Sequence, residues 1–155
     1  MNQDEGLVLK EKLFTACEIS LSRRLQDVKT AINEAQEAAN QETKSSAGDK
    51  HETGRAMMQL ETEKLNRQLQ EILNEQEALK MIRINNLKTR VERGALVITN
   101  HLKLFVAISA GRLEVEEDTY FAISIKTPLG QALQGKEAGE VITFQAKTHK
   151  ILQVF

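Results

Sequence analysis

The chain has one cysteine, one proline and no long apolar run, and each shortage removes a class of explanation. Cys17 alone cannot close an internal disulfide, which fits a protein kept in the reducing cytoplasm. No apolar stretch approaches the ~18–20 residues needed to cross a bilayer. The first twenty residues alternate charged and apolar groups instead of forming the continuous core of a signal peptide. The expectation is a soluble, cytoplasmic protein with no membrane partner. A dominant charge is missing too, since 21 basic side chains face 22 acidic ones and the formal net charge is −1. That balance gives no global drive toward nucleic acid or an anionic surface. It is uneven along the chain, however: residues 1–80 carry 11 basic and 15 acidic side chains, and residues 81–155 carry 10 and 7. The two halves therefore face different surroundings, and 155 residues suffice for one average domain or two small ones.

With Pro128 the only proline, nothing in residues 1–127 breaks a helix by removing an amide donor. From Leu9 to about Glu42 the chain is rich in Ala, Glu, Gln, Lys and Leu, which are good helix formers. Phe14, Cys17, Leu21, Leu25, Val28, Ile32, Ala35 and Ala39 recur at steps of three and four and form a seam on one face. Leu65, Leu69, Ile72, Gln76 and Leu79 form a second seam, which Met57, Met58 and Leu60 extend as packing residues. Two such helices joined by a short break pair antiparallel, because a narrow apolar seam must be buried against something.

After Lys80 the period changes. GALVITN, LKLFVAIS, DTYFAISIK, EVITFQA and HKILQVF are short β-branched and aromatic segments, read as five antiparallel strands. Between the third and fourth, Thr127 caps a short helix with Pro128 at its first position, and Gly135 and Gly139 end it and turn the chain. The expected fold class is α+β: an N-terminal antiparallel coiled-coil hairpin over residues 1–82, with its tip at 44–56, then a β domain with one short helix over residues 83–155.

At the hairpin break, Gly48 precedes two carboxylates, Asp49 and Glu52, at i and i+3. Side chains so spaced share one side of a helical turn. They can charge the N-terminus of the second helix, where anions are favoured by ~0.3–1 kcal/mol. They can also form an incomplete Mg²⁺ site, because Mg²⁺ is often held by one or two carboxylates plus waters and phosphate oxygens. His51 between them is a ligand, a proton carrier or an ordinary loop histidine. Cys17, on the seam with no histidine near it in sequence, reads as a buried structural thiol.

The run TPLGQALQGKEAGEVITF, residues 127–144, resembles the C-terminal signature of bacterial Gre-type transcript-cleavage factors. The match lies in Thr127, Pro128, Leu129, Gly130, Ala132, Leu133, Gly135, Lys136 and Gly139. Gly48, Asp49 and Glu52 match the family's tip motif, and AINEAQEA resembles its first helix. Thr53, Gly54, Arg55 and Ala56 stand where the family has Asn, Ala, Glu and Tyr. The resemblance implies an FK506-binding-protein-like C-terminal domain that docks on core RNA polymerase, with Thr127, Pro128, Leu129, Gly130 and Lys136 as partner-binding residues. It implies a monomer that inserts its tip into the polymerase secondary channel. There Asp49 and Glu52 would act as catalytic residues, sharing a Mg²⁺ with the polymerase to promote hydrolysis at the RNA 3′ end of a backtracked complex. The protein would then be an accessory factor and not itself an enzyme. Arg55, His51, Lys44 and Lys50 would be accessory groups near RNA phosphate, or simply solvated charges. The alternatives are a secondary-channel regulator that does not cleave, and a structural coiled-coil adaptor.

Overall fold

The computed structural model describes residues 1–45 and 50–155, with side chains described outside residues 42–52. Helix α1 spans Gln3–Ser45 and α2 spans Lys50–Lys80. Six strands follow, with a short helix between the fourth and fifth: β1 Leu96–Thr99, β2 Lys103–Val106, β3 Gly111–Val115, β4 Asp118–Ile123, α3 Pro128–Leu133, β5 Val141–Phe144 and β6 Lys147–Val154. The chain divides into two compact units, a helical one of Leu21–Gln76 and a sheet unit joining Met1–Ser20 to Glu77–Phe155.

Helix α1 begins earlier than its apolar seam does. The Asn2 side chain accepts from the Glu5 amide at 2.8 Å, and the Glu5 carboxylate accepts from the Asn2 amide at 2.8 Å. This reciprocal pair satisfies donors that the first turn would leave bare. Within the helical unit, Arg24 Nη1 donates to Glu75 Oε2 at 2.7 Å, and Val28 and Ile72 line one shallow depression with Gln68 and Glu71. Earlier residues of α1 thus meet later residues of α2, which is antiparallel pairing. Leu65 and Ile72 are buried seven residues apart, with Leu69 half-buried between them. Each buried aliphatic side chain contributes roughly 1.5–3 kcal/mol. The half-exposed Arg24–Glu75 pair contributes at most about 1 kcal/mol and acts chiefly on register. Met57 and Leu60 do not extend the seam as the sequence suggested. They are 68% and 66% exposed, because the face that places Leu65 and Ile72 inward points them outward.

In the sheet unit the strand order is β3-β4-β2-β1-β6-β5. Five strands fall in the expected segments; β3 is additional, and the all-antiparallel expectation fails at one pair. β2 and β4 run parallel, with Leu104 opposite Phe121 and Val106 opposite Ile123. The reason is β3, which takes the edge and returns the chain so that β4 enters between it and β2. The β3–β4 turn places Glu116 and Glu117 at φ 53° and 65°, and the β5–β6 turn places Gln145 and Ala146 at 49° and 61°. Both are two-residue turns in the left-handed region without the usual Asn or Gly.

The core gathers Val91, Val97, Leu104, Val106, Ile125, Leu133, Ile142 and Ile151. Helix α3 seats against it because Gly130 has no side chain. A Cβ there would lie 2.8 Å from Ile125 Cα and closer still to the Ser124 carbonyl oxygen, both of them backbone. Backbone cannot move aside as a side-chain end can, so Gly130→Ala should destabilise the protein by about 1–3 kcal/mol. Urea unfolding checks this, and an unchanged midpoint would mean that α3 does not need this close seat.

Candidate functional site

The signature segment is first of all a structural device. Thr127 Oγ1 accepts from the Gly130 amide at 3.1 Å and donates to the Ser124 carbonyl at 2.7 Å. Pro128 takes the first helical turn as expected, and Gln131 Nε2 donates to the Ile125 carbonyl at 2.7 Å. Beyond the helix, Gly135 at φ 78° donates its amide to Val91 O at 2.8 Å, while the Val91 amide donates to Lys136 O at 2.8 Å. Arg90 Nε donates to Glu137 Oε1 at 2.7 Å beside this clamp. Thr127 and Gly130 are therefore committed inside the unit, and Leu129 packs against the core. Pro128 is exposed, and the Lys136 ammonium lies 3.8 Å from Glu140 with much of its side chain open to solvent. Of the five residues assigned to partner binding, Pro128 alone is exposed, Gly130 is buried, and Thr127, Leu129 and Lys136 are half-buried.

At the other candidate site, Asp49, His51 and Glu52 lie outside the residues whose side chains are described, as do Lys44 and Lys50. Arg55, Thr53 and Ala56 are exposed and Gly54 is half-buried. Among the described residues no group of three His, Cys, Asp or Glu side chains converges to hold a metal. Cys17 is fully buried, and burial pushes its thiol up to about 12, with Glu18 adding to the shift. It is a packing residue. No helix among the described residues is long and apolar enough to cross a membrane.

The transcription elongation factor GreA of Acholeplasma laidlawii (strain PG-8A) is 32% identical over 75 residues, covering 46% of this chain and 47% of that protein. The chain resembles the Gre-type transcription elongation factors. It spans about half the length of the curated relative it matches. No family model matches. Two solved structures are also similar to it. The crystal structure of GreA factor homolog 1 (Gfh1) of Thermus thermophilus is 15% identical, covering 87% of this chain and 92% of that one, with a TM-score of 0.35. A structure of the transcription factor Gfh1 is 18% identical over 86% and 90%, also with a TM-score of 0.35. The Gre-type resemblance therefore rests on sequence: the partial match to GreA and the signature residues.

Two groups that sequence reasoning passed over are electrostatically unusual. Lys10 is fully buried, and its ammonium is driven down to about 8 by desolvation and by Lys88, with Glu92 opposing. The spacing Gly6, Lys10, Leu13, Cys17 places it on the inward face of α1, which was the available signal. His149 is buried against His101, ring centroids 5.5 Å apart, and its Nδ1 has no hydrogen-bond partner among the described residues. Burial, then His101 and Lys147, hold its pKa below the usual 6.5. The unfolded chain therefore binds this proton more readily. The stability that neutral His149 provides is present above about 6.5 and is lost as pH falls through that value toward the lower folded pKa. Thermal unfolding between pH 7.5 and 5 should show this loss, and His149→Phe should flatten it. An equal slope in the variant would assign the pH dependence elsewhere.

Proposed function

We propose that this protein is a Gre-type accessory factor of bacterial RNA polymerase. Residues 83–155 bind the core enzyme, and Asp49 and Glu52 reach the polymerase active centre through the secondary channel. The observation that carries this reading is that one chain holds both family signatures, the nine matched positions of residues 127–139 and the Gly48-Asp49…Glu52 motif. The 32% identity to a transcription elongation factor supports it. The protein would act in the cytoplasm as a monomer and would not be an enzyme by itself.

Mg²⁺ is a shared ion in this proposal. Two carboxylates at i and i+3 are a donor set of the right hard-oxygen chemistry but too few to fix an octahedral ion alone, so the polymerase supplies the rest. When held there, Mg²⁺ supplies charge neutralisation and water activation for phosphodiester hydrolysis. This chain's share is to present Asp49 and Glu52 as ligands. The second reading, a regulator that occupies the channel without cleavage, is favoured by one observation: Arg55 is exposed and basic where the resembled tip is acidic. A cation there would sit among RNA phosphates and compete with the metal for them.

A backtracked elongation complex with Mg²⁺ and saturating full-length factor tests the proposal. Wild type should shorten the transcript from its 3′ end. Asp49→Ala and Glu52→Ala should each reduce that stimulation by at least about a hundredfold while still competing for polymerase, since each removes a metal ligand and no docking area. Competition without cleavage by wild type would favour the regulator reading. Unchanged cleavage by both variants would leave the carboxylates a helix-capping role only.

A further inference from the structure

Lys10 is a buried charge with no ion-pair partner among the described residues. Its ammonium donates to the Asn86 carbonyl at 2.8 Å, which is its only hydrogen bond among the described residues. Glu92, the carboxylate that acts on it, is held by Lys88 at 2.5 Å. An ammonium has three protons to donate, and burying it with one neutral acceptor beside a second cation is costly. Asn86 also lines a cleft of about 600 Å³, together with Leu7, Asn85, Lys88, Thr89, Arg90 and others.

The cleft is rich in unused donors. Asn85, Asn86 and Thr89 spend none of their side-chain hydrogen-bonding groups within the described protein. Arg90 gives Nε to Glu137, outside the lining, and keeps the rest of its guanidinium, 68% exposed as a side chain. Two cations, Lys88 and Arg90, line the cleft with one carboxylate, Glu92, and Lys10 lies behind a third lining residue, bonded to the Asn86 carbonyl. A cation and Ser/Thr/Asn donors converging on a concave surface suit a compact oxyanion with several acceptor oxygens. We propose that this cleft binds a phosphate-type oxyanion, either free phosphate or the phosphoryl group of a nucleotide. The anion takes hydrogen bonds from Asn85, Asn86 and Thr89 and charge from Lys88 and Arg90, while Lys10 stabilises it from behind Asn86. This proposal involves none of the tip residues and does not depend on the polymerase reading.

The test is titration of the ¹⁵N-labelled full chain with sodium orthophosphate at constant ionic strength, with acetate as the control anion. Amide signals of residues 85–90 should shift saturably with phosphate and not with acetate. Lys10→Met keeps the length of the buried stem without the charge, and Lys88→Gln is a second, more exposed change. Each should weaken binding by about tenfold or more. A nucleoside diphosphate binding about tenfold tighter than phosphate would identify the nucleotide as the source, and equal affinity would identify the free ion. No saturable shift, equal shifts with acetate, or binding undiminished in both variants would overturn the proposal.

Discussion

Gly6 has no side chain, and the ring of Phe155 occupies the room this leaves. A Cβ on Gly6 would lie 2.7 Å from the ring's Cγ. Phe155 is itself fixed by two backbone bonds with Leu96, N–H to O in each direction at 2.9 and 3.0 Å. Phe155 thus extends the β6–β1 ladder and holds the first turns of α1 against the sheet. From Gly6, steps of four, three and four bring Lys10, Leu13 and Cys17 onto the same inward face, and all three are fully buried. Leu9 and Leu13 supply the apolar area and Lys10 the bond to Asn86. A cut between residues 82 and 83 would separate Gly6 from Phe155, so the sheet unit draws its packing from both ends of the chain.

Much of this was legible in the sequence, and the exceptions have physical reasons. The second seam was readable at Leu65, Leu69 and Ile72 because heptad spacing leaves the same face inward over successive turns. Helix α3 was readable because Thr127 and Pro128 do at its start what their side chains favour, an oxygen for an amide and a fixed φ. The start of α1 carried a signal that was not used, since Asn2 and Glu5 stand at capping-box spacing. β3 was hidden because Arg112 and Glu114 occupy its solvent face as an ion pair, leaving a single buried apolar residue, Leu113. Its turn, Glu116-Glu117, carries none of the residues that announce a hairpin. The parallel β2–β4 pair follows from that hidden strand and could not be inferred without it. Met57 and Leu60 misled because apolar character was taken for orientation.

The candidate sites differ in how far the fold explains them. Thr127, Gly130 and Gly135 have complete structural reasons, a cap, a close approach and a left-handed turn. Their agreement with a family signature therefore argues for a shared way of folding more than for a contact surface. Pro128, exposed, and Lys136, half-buried, retain capacity for a partner. Asp49 and Glu52 lie outside the residues whose side chains are described, and their functional reading rests on the tip motif. Docking, assigned to the sheet unit, is therefore separate from chemistry, assigned to Asp49 just before α2 and Glu52 in its first turn.

That separation makes a spatial claim that one experiment reaches directly. A photocrosslinking residue in place of Arg55 would report where this part of the chain lies when the full-length protein is bound to a backtracked RNA polymerase complex. The account predicts adducts with the polymerase subunit surrounding the active centre and with the 3′ segment of the transcript, lost when an excess of unlabelled factor is added. Adducts confined to the outer surface of the enzyme, or no association with polymerase at all, would contradict it.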